Sequence, residues 1–264
     1  MALSTDEPVL DRGPIRSAGF DRYSAWIENG PLPRRRFDDR RDIYGAVSYW
    51  DAPLLRAAGV CSTVRIGAIT LGTDKLDHFF EEGYNGWRRA EFGATPEEAI
   101  RWATHTELGI YGLKSSETFS YADLRADWDG YTFYDTLLGP QSVVQRGSDG
   151  CLARTGDFDW SRYVTWEYDE VMNPSVYTPE TQDGINLRLT EVSGRMCDGY
   201  RVWGGVDYQR HLAGVLGQRP AYASDEAPRR YDPFQLADLC DGDGWVTAPV
   251  SSLLDDRLDA VAED

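Results

Sequence analysis

Asp74, Lys75 and His78 stand close together in the segment GTDKLDHFFEEGYNGW, and the chain has only three histidines. An imidazole set among carboxylates can move a proton near neutral pH or hold a divalent ion. Glu107, in THTELGIYG, and Asp123 and Asp127, in SYADLRADWDG, extend the set. Two chemistries are open to it. In the first, His78, Glu107 and Asp127 are candidate catalytic groups for hydrolysis, one of them acting as general base on water. His78, Asp123 and Asp127 would then be the ligands of a divalent cation that activates that water. Paired carboxylates would also suit glycoside hydrolysis, one as acid and one as base or nucleophile. In the second, Lys75 and His78 neutralise Glu107, Asp123 and Asp127 in a buried network that fixes helix register. Asp74, Lys75, Ser120 and Asp123 are the binding or network residues of either arrangement. A buried, fully paired set favours a structural or binding module, and the same residues around an open cleft favour catalysis.

These residues must be positioned by helices. Helical period runs over about 73–90, 95–111 and 120–138, with start signals at Thr73, at Thr95-Pro96 and at Ser120. In the first segment Leu76, Phe79, Phe80, Gly83, Tyr84 and Trp87 share one side, while Asp74, His78, Glu81 and Asn85 lie opposite. Taken alone this is an amphipathic helix with its charges in water, and His78 with Glu82 reads as a surface pair. The second segment places Glu107 among Ile100, Ala103, Ile110 and Tyr111, with His105 on the polar side. The third places Asp127 with Leu124, Trp128, Tyr131 and Leu138. Asp123 fits an S-x-x-D capping box with Ser120, and Asp129 reads as solvated. An acid on an apolar face needs a partner or a proton, because burying a bare charge is costly.

The expected fold is mainly α: a single domain over 1–264, with a three-helix core at 72–139 and an irregular, loop-rich C-terminal half. Residues 1–20 and 255–264 are expected to be flexible. Further helical period lies near 39–47, 51–59, 184–199, 206–216 and 233–240. The loop around YVTWEYDEVMNPSVY is anchored by aromatics and turns at Asn173-Pro174, and CDGDGW is an Asp-Gly turn rather than a calcium loop. The formal net charge of −17 argues against nucleic acid or an anionic lipid surface as partner. No run of about 18 apolar residues is present to span a bilayer. Cys61, Cys151, Cys197 and Cys240 show no zinc-like spacing; small buried thiols are the reading for a cytoplasmic protein, two disulfides for an extracytoplasmic one.

The order of these residues resembles the YfiM-like family of small bacterial envelope lipoproteins and, more distantly, VanZ-like membrane proteins. The resemblance covers about 72–132. It is carried by Asp74, Lys75, His78 and Phe79 in DKLDHF, by Glu107, and by Ser120, Tyr121, Asp123, Asp127 and Gly130 in SYADLRADWDG. Three departures stand beside it. The chain has no transmembrane helix for the pattern, Thr106 replaces a residue that is often basic in the YfiM-like group, and the chain is much longer. The resemblance implies a periplasmic or cell-envelope setting and an envelope component or glycan as partner, with no established reaction. The start MALSTDEPVLDRG lacks the basic and apolar regions of a secretory signal. An envelope setting therefore assumes a leader outside this sequence, and a cytoplasmic location is the alternative.

Overall fold

The computed structural model describes residues 43–48, 50, 63–66, 69–139, 142–157, 162–170, 173–188 and 213–228. Of these, 53% are helical and 10% lie in strands, so the chain is mainly α as expected. The helical expectations at 51–59, 206–212 and 233–240, both termini, the CDGDGW turn, Cys61, Cys197 and Cys240 lie outside the described residues.

Two short strands precede the first helix. β1 (Thr63–Ile66) and β2 (Ile69–Gly72) pair antiparallel, with Thr63 opposite Gly72 and Ile66 opposite Ile69. The run is rich in β-branched Thr, Val and Ile, which suit a pleated strand. Helix α1 then comes in three pieces: an α-helical turn, Asp74–Asp77, a π-helical stretch, His78–Glu82, and an α-helix, Gly83–Glu91. Thr73 precedes it with helical φ and ψ and makes no side-chain cap, so the expected start signal is not used as one.

Helix α2 (Pro96–Leu108) begins as its sequence dictates. Thr95 accepts from the Glu98 amide, Glu98 reaches back to the Thr95 amide, and Pro96 occupies the first turn. It stops before Gly109, short of the expected 111, which leaves Ile110 63% exposed rather than on an apolar face. Helix α3 (Tyr121–Leu138) starts at Ser120, whose Oγ accepts from the Asp123 amide at 3.1 Å. β3 (Thr118–Phe119), just ahead of it, pairs antiparallel with β6 (Val176–Tyr177). β4 (Val144–Arg146) and β5 (Leu152–Arg154) form a separate antiparallel pair on the surface.

α1 and α3 meet at two glycines. A Cβ on Gly130 would lie 2.0 Å from the Phe79 carbonyl oxygen, and one on Gly83 would lie 2.5 Å from the Gly130 Cα. This close approach sets the rotation of α1. Its buried residues are Lys75, Leu76, Asp77, Phe79, Glu82, Gly83 and Gly86, which keep Leu76, Phe79 and Gly83 of the expected apolar side but replace Phe80, Tyr84 and Trp87 with Lys75, Asp77, Glu82 and Gly86. The π-helical stretch contributes, since its i→i+5 bonding, with the Gly83 amide on the His78 carbonyl, rotates the residues beyond it relative to a regular helix. Tyr84 is accordingly exposed, and Glu82 turns inward.

Two apolar clusters flank the motif helices. One gathers Leu71, Leu76, Phe79, Ala126, Phe133, Tyr163 and Tyr168. The other gathers Ala103, Phe119, Tyr121, Leu124, Tyr222, Ala223 and Ala227. α3 contributes to both, so Asp123, Asp127 and Asp129 are buried, while Asp135 near its end is exposed. The described part of the C-terminal half is loop-rich; its α-helical residues are 179–188, beginning earlier than the expected 184, and 213–218. Residues 43–46 form turns rather than the expected helix. Cys151 is exposed with a free thiol, which departs from a buried position.

Candidate functional site

Lys75 is 1% exposed, in the first turn of α1. Its ammonium lies 2.7 Å from Asp74 Oδ2, 2.5 Å from Asp123 Oδ1 and 2.7 Å from Glu170 Oε1. Burial by itself would lower the pKa of Lys75. The carboxylates of Asp123, Asp74 and Glu170 outweigh it and hold the group well above its ordinary value, so Lys75 carries its charge.

His78, three residues on, completes the next layer. Nδ1 lies 2.9 Å from Asp127 Oδ1, and Nε2 lies 3.4 Å from Asp123 Oδ2. Burial again opposes the charged form, and Asp123 and Asp127 override it, so the imidazole is pushed well above its usual pKa and stays protonated. Asp123 is shared: one oxygen faces Lys75 and the other faces His78. Its four-residue spacing from Asp127 puts both acids on one side of α3, toward α1.

Glu107 reaches the centre from the end of α2 and is 1% exposed. Its Oε1 accepts from the Ser120 amide at 2.7 Å. That bond is the reciprocal half of a capping box at α3, and the structure gives it to Glu107, from another helix, rather than to Asp123. Asp123 is thereby free to turn to Lys75 and His78. Burial and the charge of Asp123 push the Glu107 carboxyl well above the ordinary carboxylate range.

The residues singled out from the sequence therefore converge: Asp74, Lys75, His78, Glu107, Ser120, Asp123 and Asp127 form one connected centre. Three members were not anticipated. Glu170 accepts from Lys75 and from Ser120 Oγ at 3.0 Å, and Tyr44 donates to its other oxygen. Glu170 sits in a segment read as an aromatic-anchored loop, with no helical period to place it, and Tyr44 in one expected to be helical over 39–47 that forms turns instead. Glu82, read as a surface partner of His78, is buried beside Asp127; burial and the Asp127 charge raise its pKa to about 7. With Asp127, Gly86, Ala103, Leu124 and Trp128 it lines a narrow crevice between the three helices.

Asp129 is a further correction. Expected in water, it is 5% exposed and takes Arg125 Nε at 2.9 Å, four residues back on the same helix. Burial lifts its pKa to about 6 despite Arg125. Arg125 also holds Glu167 at 3.0 Å. Arg219, buried 3.7 Å over the ring of Tyr121, donates to Asn173 Oδ1 at 2.9 Å and to the Pro174 carbonyl. This second set of ties fastens the loop bearing Glu170 to α3. His105, by contrast, is exposed as expected and meets Glu226.

No family model, curated protein or solved structure matches this chain. The YfiM-like resemblance rests on the motif residues themselves. No described helix is long and apolar enough to cross a membrane.

Proposed function

We propose that this chain is a bacterial cell-envelope protein whose buried Asp/Lys/His/Glu/Asp centre works as a structural or ligand-binding module. One observation carries the reading: Lys75 is buried and its ammonium is ringed by three carboxylates within 2.7 Å. The charged groups face one another, which is the arrangement that locks helix register rather than the one that admits a substrate. The centre joins α1, the end of α2, the start of α3 and the loop carrying Glu170, and these are segments distant in sequence. The envelope setting comes from the order of motif residues between Asp74 and Gly130.

Lys75→Met tests the module. It keeps the apolar stem and leaves three carboxylates facing one another without their cation. Stability is expected to fall by about 3–5 kcal/mol in urea unfolding. An unchanged midpoint would remove the locking role. Fractionation of cells expressing the gene with its natural upstream sequence tests the location, and recovery in the cytoplasm alone would count against the envelope.

A second reading, an envelope hydrolase acting through the same centre, has one observation in its favour. Asp127 touches His78 and also lines the crevice beside Glu82, two carboxyl groups near an imidazole at a surface opening. Release of reducing ends from neutral glycan polymers, abolished in Asp127→Asn, would establish it over the module.

A further inference from the structure

The polar centre contains two groupings with the donors and spacing of a cation site, and they share Asp123. Asp74, Asp123 and Glu170 form one; His78, Glu107 and Asp123 form the other, each residue offering an atom within 4.8 Å of the others. The first is already filled, because the Lys75 ammonium stands against all three of its carboxylates. In the second, Lys75 reaches only the shared Asp123, and the other positive charge is that of the His78 imidazolium, which is itself the nitrogen donor of the grouping.

We propose that His78 Nε2, Glu107 and Asp123 form a binding site for one divalent first-row transition-metal ion. This deepens the module reading, on which it rests, by naming the ligand. Three features point to it independently of the acid count. Asp127 accepts from His78 Nδ1 at 2.9 Å, which directs Nε2 toward Asp123 Oδ2. A carboxylate on the far nitrogen of a histidine is the usual means of orienting it toward a metal. Second, Glu107 is held by one oxygen only: Oε1 takes the Ser120 amide, and the buried Oε2 has no hydrogen-bond partner among the described residues. A buried carboxylate oxygen left bare in a folded protein calls for an ion or a polar ligand. Third, the grouping is mixed. One imidazole with two carboxylates suits zinc, manganese or ferrous iron, whereas calcium takes six to eight oxygens. Entry of the ion would send the Nε2 proton of His78 and the carboxyl proton of Glu107 to solvent, leaving a neutral imidazole and a carboxylate as ligands.

The test uses the full chain, stripped with a chelator, returned to metal-free buffer and titrated with zinc chloride or manganese chloride alone. Calorimetry is expected to give a single stoichiometric site, and thermal unfolding a midpoint that rises with metal concentration. Glu107→Gln preserves an acceptor for the Ser120 amide and is expected to weaken that site at least about tenfold while the circular dichroism spectrum is unchanged. Asp127→Asn is expected to weaken it about tenfold through the orientation of His78. Glu97→Gln, at an exposed acid in the first turn of α2 outside the centre, is expected to leave the affinity alone. Absence of a stoichiometric site for both metals would overturn the inference, as would a site that keeps full affinity in Glu107→Gln, which marks binding by surface acids. Either result leaves the module reading standing, since that reading fails on Lys75→Met and not on metal.

Discussion

Glu82 lies four residues after His78, buried beside Asp127, with Oε2 bare of hydrogen-bond partners among the described residues and a pKa raised to about 7. The folded protein therefore holds a proton on Glu82 that the unfolded chain releases near pH 4.5. Between those values the folded state binds more protons, so this residue lowers stability as pH rises from about 4.5 to 7. Glu82→Gln, which mimics the protonated form, is expected to be near neutral at pH 4 and to stabilise the protein by about 3 kcal/mol at pH 8. Urea unfolding of both proteins at the two pH values checks it, and an equal effect at both would show that Glu82 carries no proton linkage. The neighbouring ions behave in the opposite way. Lys75 and His78 are held charged by Asp123 and its companions, so for them burial is outweighed by pairing. Pairing was legible in outline, because Glu107 and Asp127 fall on apolar sides of their helices and need a partner. The inward turn of Glu82 and Asp129 was not, because regular helical period put both on or near the polar side.

Among the elements, the helices that carry their own start signals were readable. Thr95-Pro96-Glu97-Glu98 and Ser120 cap α2 and α3 in the structure as their types require. Helix α1 was readable in extent but not in rotation, since the π-helical stretch and the glycine contact with α3 are tertiary in origin. The β1–β2 pair and the loop bearing Glu170 escaped because neither has helical period and both are defined by partners distant in sequence. Gly130, part of the motif pattern, gains a physical role at this scale. In an exposed helix interior, Gly→Ala stabilises by about 1 kcal/mol through backbone entropy. Here the added methyl would stand 2.0 Å from the Phe79 carbonyl oxygen and 3.0 Å from the Gly83 Cα, both backbone atoms that cannot rotate away. The clash outweighs the propensity. Gly130→Ala is expected to destabilise by about 2–3 kcal/mol, measured by urea unfolding, and to loosen the Lys75–Asp123 and His78–Asp127 pairs that span the same two helices. A stabilised variant would mean that α1 and α3 do not meet at these glycines.

Over the whole molecule, 44 acidic residues stand against 27 basic ones, a formal net charge of −17. Like charge of this size strains the compact state through self-repulsion, and salt relieves it. The polar centre responds differently. Exposed charges more than about 10 Å apart are largely screened at 0.1 M salt, while buried pairs in direct contact are screened far less. Lys75 and His78 meet their acids at 2.5–3.4 Å inside the protein, so added salt leaves those attractions nearly intact while it weakens the surface repulsion. The two effects therefore do not cancel. Raising potassium chloride from about 0.01 M to about 0.3 M is expected to raise the thermal midpoint by roughly 3 °C, the size of shift that about 1 kcal/mol produces in a domain of this length. The measurement is made with a chelator present, so that trace divalent ions do not contribute through the His78 site. Lys75→Met should show a larger rise, because three facing carboxylates add repulsion that salt can reach once the helices loosen. A midpoint that falls with salt in the unaltered chain would mean that surface ion pairs such as Arg101–Glu226, rather than net repulsion, dominate its electrostatics.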